Sequence, residues 1–183
     1  MVLWSASAAA ADSLVWTRTA DALAVGLPVL AYATAGSFKS DPEGLRELTL
    51  GLAATVATSE VLKRAIPVAR PDGSDDKSFP SRHTAVAFAA AQFLDRRYGN
   101  EVALYRPWLY AAAAMTGVSS VQARRHRWGD VIAGGALGYG LARWSTSSQS
   151  HSSAERLSQW QVMPSPSPGV AGTGWRVSWQ ARW

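Results

Sequence analysis

Between Ala22 and Trp144 one pattern recurs along the chain: a long run rich in alanine and leucine and poor in internal charge, followed by a short polar stretch with proline, glycine or aspartate. The runs are 22–36, 45–65, 83–99, 106–123 and 130–144. All are longer than ordinary strands, and alanine and leucine lose least on entering a helix, so the pattern predicts helices in all five. Asp130 stands where it can cap the last of them. Few positions before residue 146 alternate as strands do, and the expected fold class is all-α, a helical bundle. The uncharged stretches Ala22 to Phe38 and Pro107 to Ala123 approach membrane-spanning length. They contain proline, glycine, serine or glutamine and lack the leucine and phenylalanine density of true spans. A bundle of buried helices, rather than a polytopic membrane protein, is therefore expected.

The pattern changes after Trp144. "STSSQSHSSAE" is a polar, serine-rich linker, and "MPSPSPGVAGTG" cannot continue a helix. "GWRVSWQARW" alternates, with Trp175, Val177, Trp179, Ala181 and Trp183 on one face of an extended strand and Arg176, Ser178, Gln180 and Arg182 on the other. Tryptophan suits a bilayer interface and arginine suits anionic headgroups, so one reading has this tail meet a membrane surface. The other has it pack on the domain's own helices. The expected organisation is a helical domain over 1–146 and a linker and tryptophan-rich tail over 147–183. Residues 1–12, apolar and small, read either as the remnant of an export signal without its basic start or as the beginning of the first helix. No internal repeat is present.

Composition narrows the chemistry. The 183 residues include no cysteine, which excludes disulfides, thiolate metal sites and a thiol nucleophile. A net charge of +5 favours anionic partners such as phosphate esters or acidic lipid. The arginines are scattered and form no basic block, so nucleic acid is not an expected partner.

Three short patches concentrate the remaining polar chemistry. In "KRAIPVARP", Lys63 and Arg70 flank an apolar turn and Pro71 ends the segment. In "PSRH", Pro80 to His83, the chain enters a helix whose free backbone N–H groups and positive dipole end form a natural anion site. In "RRHRWGD", His126 precedes Asp130 by four residues. Each patch alone is commonly a solvated face, a cap or a surface pair. Together they point to phosphate chemistry, with two imidazoles and fixed cations but no cluster of metal-ligating side chains.

In this order the patches resemble those of the type-2 phosphatidate phosphatase superfamily, which includes bacterial non-specific acid phosphatases, lipid phosphate phosphatases and vanadium haloperoxidases. The family pattern is K-x6-R-P, then P-S-G-H, then S-R-x5-H-x3-D. The chain carries the first as Lys63, Arg70 and Pro71, the second as Pro80, Ser81, Arg82 and His83, and the third as Ser119, His126 and Asp130. The resemblance covers Thr49 to Trp144. It implies a helical bundle in which His126 is the nucleophile, Asp130 orients it and His83 is the general acid. Lys63, Arg70, Ser81 and the backbone near Arg82 would hold the phosphoryl oxygens. No metal or other cofactor is implied.

Two departures stand out: Arg82 replaces the family's glycine, and Ser120 replaces the arginine expected six residues before His126. Serine cannot supply a bidentate guanidinium, a donor worth on the order of several kcal/mol in the transition state. If the segment is helical, Arg124 lies one turn along the same face and could reach the site in part; a natural loss, an engineered substitution and compensation by Arg124 or Arg82 are all open readings. The expected function is a metal-independent phosphatase acting on a phosphomonoester or diphosphate, lipid-borne in the favoured version, through a phosphohistidine. It would be exported, either periplasmic or membrane-associated, and inhibited by vanadate. The alternative is a catalytically weakened phosphate- or phospholipid-binding protein on the same scaffold.

Overall fold

A computed structural model describes residues 2–147, 160–166 and 173–179, with side chains over 12–147. Five α-helices make up the first unit: α1 (Val2–Ala33), α2 (Pro42–Ala65), α3 (Arg82–Tyr98), α4 (Arg106–Gln122) and α5 (Trp128–Ser145). A π-helical turn, Thr34–Phe38, closes α1. All five predicted runs are helical, and the fold is the expected helical bundle. α1 takes in nearly all of the opening segment as well.

Local chemistry sets the helix limits. Pro42 occupies the first turn of α2, where its missing N–H is no loss, and the Asp41 carboxylate accepts from the Gly44 N–H at 2.9 Å. α5 begins at Trp128, earlier than its apolar run suggests, so Asp130 lies inside the first turn rather than at the cap. From there its carboxylate accepts from the Arg127 N–H at 2.8 Å.

The central helix is α3, which packs against each of the other four. Its C-terminal end is pinned by a buried ionic cluster far from the three patches. Arg97 donates twice to Asp41, at 2.8 Å each, and at 3.2 Å to Glu47, while the Tyr98 hydroxyl donates to Asp41 at 2.8 Å. Because an ionised group inside a bundle must be paired, this cluster fixes the α1–α2 junction against the end of α3.

Packing elsewhere relies on small residues. A Cβ on Gly138 would overlap the Ala85 carbonyl oxygen, and one on Gly134 would overlap that of Ser81. This glycine pair, four residues apart, lets the α5 backbone approach the start of α3. The interior holds many alanines and small hydroxyl residues, among them Ala87, Ala90, Thr55, Ser59, Thr84 and Thr116. Phe93, Leu48 and Leu94 are large side chains buried with them, while other large apolar side chains point outward: Val25 and Val29 on α1, Val61 on α2, Trp108 on α4 and Ile132 on α5. Asp12–Phe38 is long and apolar enough to cross a membrane, and only 22% of its most apolar stretch is buried. The expectation of buried helices therefore holds for α3 and not for α1. Alanine-rich runs are apolar on every face, and periodicity alone does not say which face is inside.

In the second unit, residues 149–183, the described residues form two antiparallel strands, β1 (Trp160–Pro166) and β2 (Thr173–Trp179). In its register Trp160 pairs with Trp179, Val162 with Val177 and Pro164 with Trp175. The extended reading of 175–179 is met, with a partner strand that the proline-rich sequence concealed. Gln180, Ala181, Arg182 and Trp183, assigned above to the faces of this strand, lie outside the described residues.

Candidate active site

At one end of the bundle, α2 and α4 finish and α3 and α5 begin, which gathers the three patches. Lys63 points inward because α2 buries a stripe, Leu48, Gly51, Thr55, Ser59 and Lys63, spaced by three or four residues. Its Nζ donates to the Lys77 carbonyl at 2.6 Å and keeps further N–H groups in reserve. Burial and then the nearby Arg70 guanidinium lower its pKa from the usual 10.5. Arg70 is aimed by the loop that follows. Its Nε donates to Asp75 at 2.6 Å and Nη1 to the Arg125 carbonyl at 3.3 Å. The loop is closed on itself by the bonds Val68 N–H to Asp76 O (2.7 Å) and Ser78 N–H to Val68 O (2.9 Å).

His126 lies in the short turn between α4 and α5 and is buried. Its pKa falls to about 4, chiefly through burial and then through the charges of Arg70 and Lys63; Asp130 and the Ser78 backbone oppose this in part. The imidazole is thus neutral at ordinary pH, as a nucleophile requires. Among the described residues Nε2 has no hydrogen-bond partner, while Nδ1 faces the Ser78 hydroxyl at 3.4 Å.

The start of α3 closes the site. Ser81 is the N-cap, but its hydroxyl pairs with Thr84 Oγ1 at 3.0 Å and makes no capping bond. Its own N–H donates to the Asp130 carbonyl at 2.9 Å, which ties the second patch to the third. The N–H groups of Arg82, His83 and Thr84 have no partner among the described residues and remain available to an anion. His83 Nε2 lies 3.4 Å from an Asp21 carboxylate oxygen of α1, and Arg125 Nη1 lies 3.8 Å from that oxygen. Burial lowers the His83 pKa below the usual 6.5; Asp21 opposes the shift, and Arg82, Arg125 and Arg70 add to it.

Two arginines do not join this group in the way expected. Arg82 turns its guanidinium to Glu60, donating at 2.8 Å, and is half-exposed. Arg124 lies beyond the end of α4 at φ 56°, so the single-turn relation to Ser120 along a continuous helix does not form. Ser120 is buried and donates to the Thr116 carbonyl at 2.8 Å, within its own helix. The turn instead brings the Arg125 guanidinium to 3.8 Å from the Asp21 carboxylate that faces His83. Ser120→Arg is expected to raise kcat by about 10- to 100-fold if the side chain reaches the oxyanion, as measured by steady-state phosphate release.

Sequence reasoning missed Ser78, Asp75, Asp21 and Arg125. Ser78 and Asp75 belong to a loop that reads only as polar, although the SxxS spacing of Ser78 and Ser81 before a helix was a usable sign. Asp21 comes from α1, far from every motif, and no local spacing betrays it.

Residues 44–153 match the family model of the PAP2 superfamily. Over 69 residues the chain is 42% identical to a lipid A 1-phosphatase of Porphyromonas gingivalis; the matched region is 38% of this chain and 16% of that protein. Among solved structures, Aquifex aeolicus LpxE superposes with a TM-score of 0.60 at 23% identity, over 73% of this chain and 84% of that one. A transmembrane PAP2-type phosphatidylglycerolphosphate phosphatase of Bacillus subtilis gives 0.58 at 22% identity, over 81% and 79% respectively. At these identities the two structures establish the likeness of the fold.

Proposed function

The chain belongs to the PAP2 superfamily, and from that premise we propose that it hydrolyses a lipid-borne phosphomonoester or diphosphate through a phosphohistidine at His126. The supporting observation is the convergence of two imidazoles, Lys63, Arg70 and three open N–H groups on one end of the bundle. Among the described residues no three His, Asp or Glu side chains are grouped as metal ligands.

In the first step the Nε2 lone pair of His126 attacks phosphorus and the P–O bond to the leaving group breaks. The departing oxygen takes its proton from His83. Lys63, Arg70 and the start of α3 hold the three equatorial oxygens, where charge spreads in the transition state. In the second step His83, now neutral, takes a proton from water as that water attacks phosphorus. The P–N bond breaks, phosphate leaves and both histidines regain their starting states.

The lipid assignment rests on the outward apolar side chains and on α1, which together suit an exported site at a membrane surface. The names of the matched relatives, a lipid A phosphatase and a phosphatidylglycerolphosphate phosphatase, agree with it. A second reading, a weakened phosphate-binding protein, is favoured by Ser120 alone. Phosphate release from lipid and soluble esters separates them. Turnover on a lipid phosphate, undiminished by chelator and inhibited by vanadate, is the expected result. Loss of turnover in chelator with recovery on added divalent metal contradicts the mechanism, and binding without turnover favours the second reading.

A further inference from the structure

Asp130 does not contact the His126 ring directly. The distance from its Oδ2 to Nδ1 is 3.9 Å, beyond hydrogen-bond reach. That carboxylate oxygen is already engaged by the Arg127 N–H at 2.8 Å and by the Ser78 hydroxyl at 2.5 Å. Ser78 is fully buried, and its Oγ is also 3.4 Å from His126 Nδ1 and 3.5 Å from the Arg125 carbonyl oxygen.

Proton counting fixes the direction of these contacts. An ionised carboxylate only accepts, and a hydroxyl has one proton to give. At 2.5 Å that proton belongs in the bond to Asp130, which leaves the Ser78 lone pairs facing Nδ1. Facing lone pairs favour the tautomer in which Nδ1 carries the ring proton and Nε2 the free pair, and the Ser78 backbone acts on the same ring.

We propose that Ser78 is the positioning residue for His126, linking its ring to Asp130 and holding the tautomer in which Nε2 is free. The proposal rests on the reading of His126 as the nucleophile. It adds to the family's pattern a residue from the loop between α2 and α3, held in place by the bond from its N–H to Val68 O at 2.9 Å. The preceding carbonyl, of Lys77, receives the Lys63 ammonium at 2.6 Å, so one short segment serves both the nucleophile and a phosphate-binding cation.

The test compares Ser78→Ala, Ser78→Thr and Asp130→Asn in the full chain, by rapid-quench measurement of His126 phosphorylation per folded enzyme. Ser78→Ala is expected to slow phosphorylation by about 10- to 100-fold with KM changed less than about twofold. Ser78→Thr, which keeps the hydroxyl, should recover most of that loss, and Ser78→Ala with Asp130→Asn should be little worse than Asp130→Asn alone. Ser78→Ala phosphorylating at the wild-type rate, or losses that simply multiply in the double variant, would overturn the proposal. Should Ser78→Ala fail to fold, nitrogen-15 NMR of labelled histidine in the wild-type protein decides instead. Protonation at Nδ1 of His126 is expected, and protonation at Nε2 overturns the inference. A wild-type enzyme that turns over without phosphorylating His126 defeats the nucleophile reading itself, a result distinct from any outcome at Ser78.

Discussion

His126→Ala is expected to lower kcat by at least about 10⁴-fold while the helical fold persists, because among the described residues its buried, neutral imidazole is the group best placed to attack phosphorus. His83 is turned toward the Asp21 carboxylate instead. Any residual rate would come from charge stabilisation alone. Steady-state release of phosphate, with circular dichroism to establish the fold, reads the effect. A variant within tenfold of wild type would remove His126 from the nucleophile's role.

The second large effect is expected at His83, and it depends on the leaving group. A poor leaving group such as an alkoxide needs a proton as the P–O bond breaks, whereas a nitrophenolate does not. His83→Ala should therefore cost about 10²- to 10⁴-fold on alkyl or lipid phosphates and far less on nitrophenyl phosphate. The pH profile carries the same assignment. His126 must be neutral, so kcat/KM should rise as pH passes through about 4. His83 must be protonated, and burial sets its pKa below the usual 6.5, so kcat/KM should fall again as pH rises through that lowered value. Asp21 favours the imidazolium, hence Asp21→Asn should move the alkaline limb to still lower pH. Equal losses across leaving groups, or an alkaline limb that Asp21→Asn leaves in place, would remove His83 from the acid's role.

The helices were legible because each run ends where chemistry demands it. Pro42 and Asp41 open α2, and the run of α4 gives way to the arginines that follow it. The meeting of Lys63, Arg70, His83, His126 and Asp130 was legible only as an ordered set of motifs, since each patch alone is ordinary. What remained hidden depends on three-dimensional placement. Asp21 reaches His83 from a helix with no sequence relation to it, and Ser78 stands between His126 and Asp130, whose separation of four residues suggests a direct pair. Arg82 and Arg124 were read by position along the chain. Glu60 draws the first aside, and the left-handed turn after α4 takes the second off the helix. Which large apolar residues lie inside, as Phe93 and Leu48 do, and which outside, as Val29 and Trp108 do, also depends on placement, as residue type alone does not orient an alanine-rich helix.

The central claim is that phosphate passes through His126. Acid-free quenching during turnover of a phosphorus-labelled lipid phosphate, followed by peptide mapping, tests it most directly. The account predicts label that survives base, is lost in acid, maps to the peptide containing His126 and is missing from His126→Ala. Label on an acyl or ester oxygen, or steady turnover with no labelled enzyme at any quench time, would contradict it.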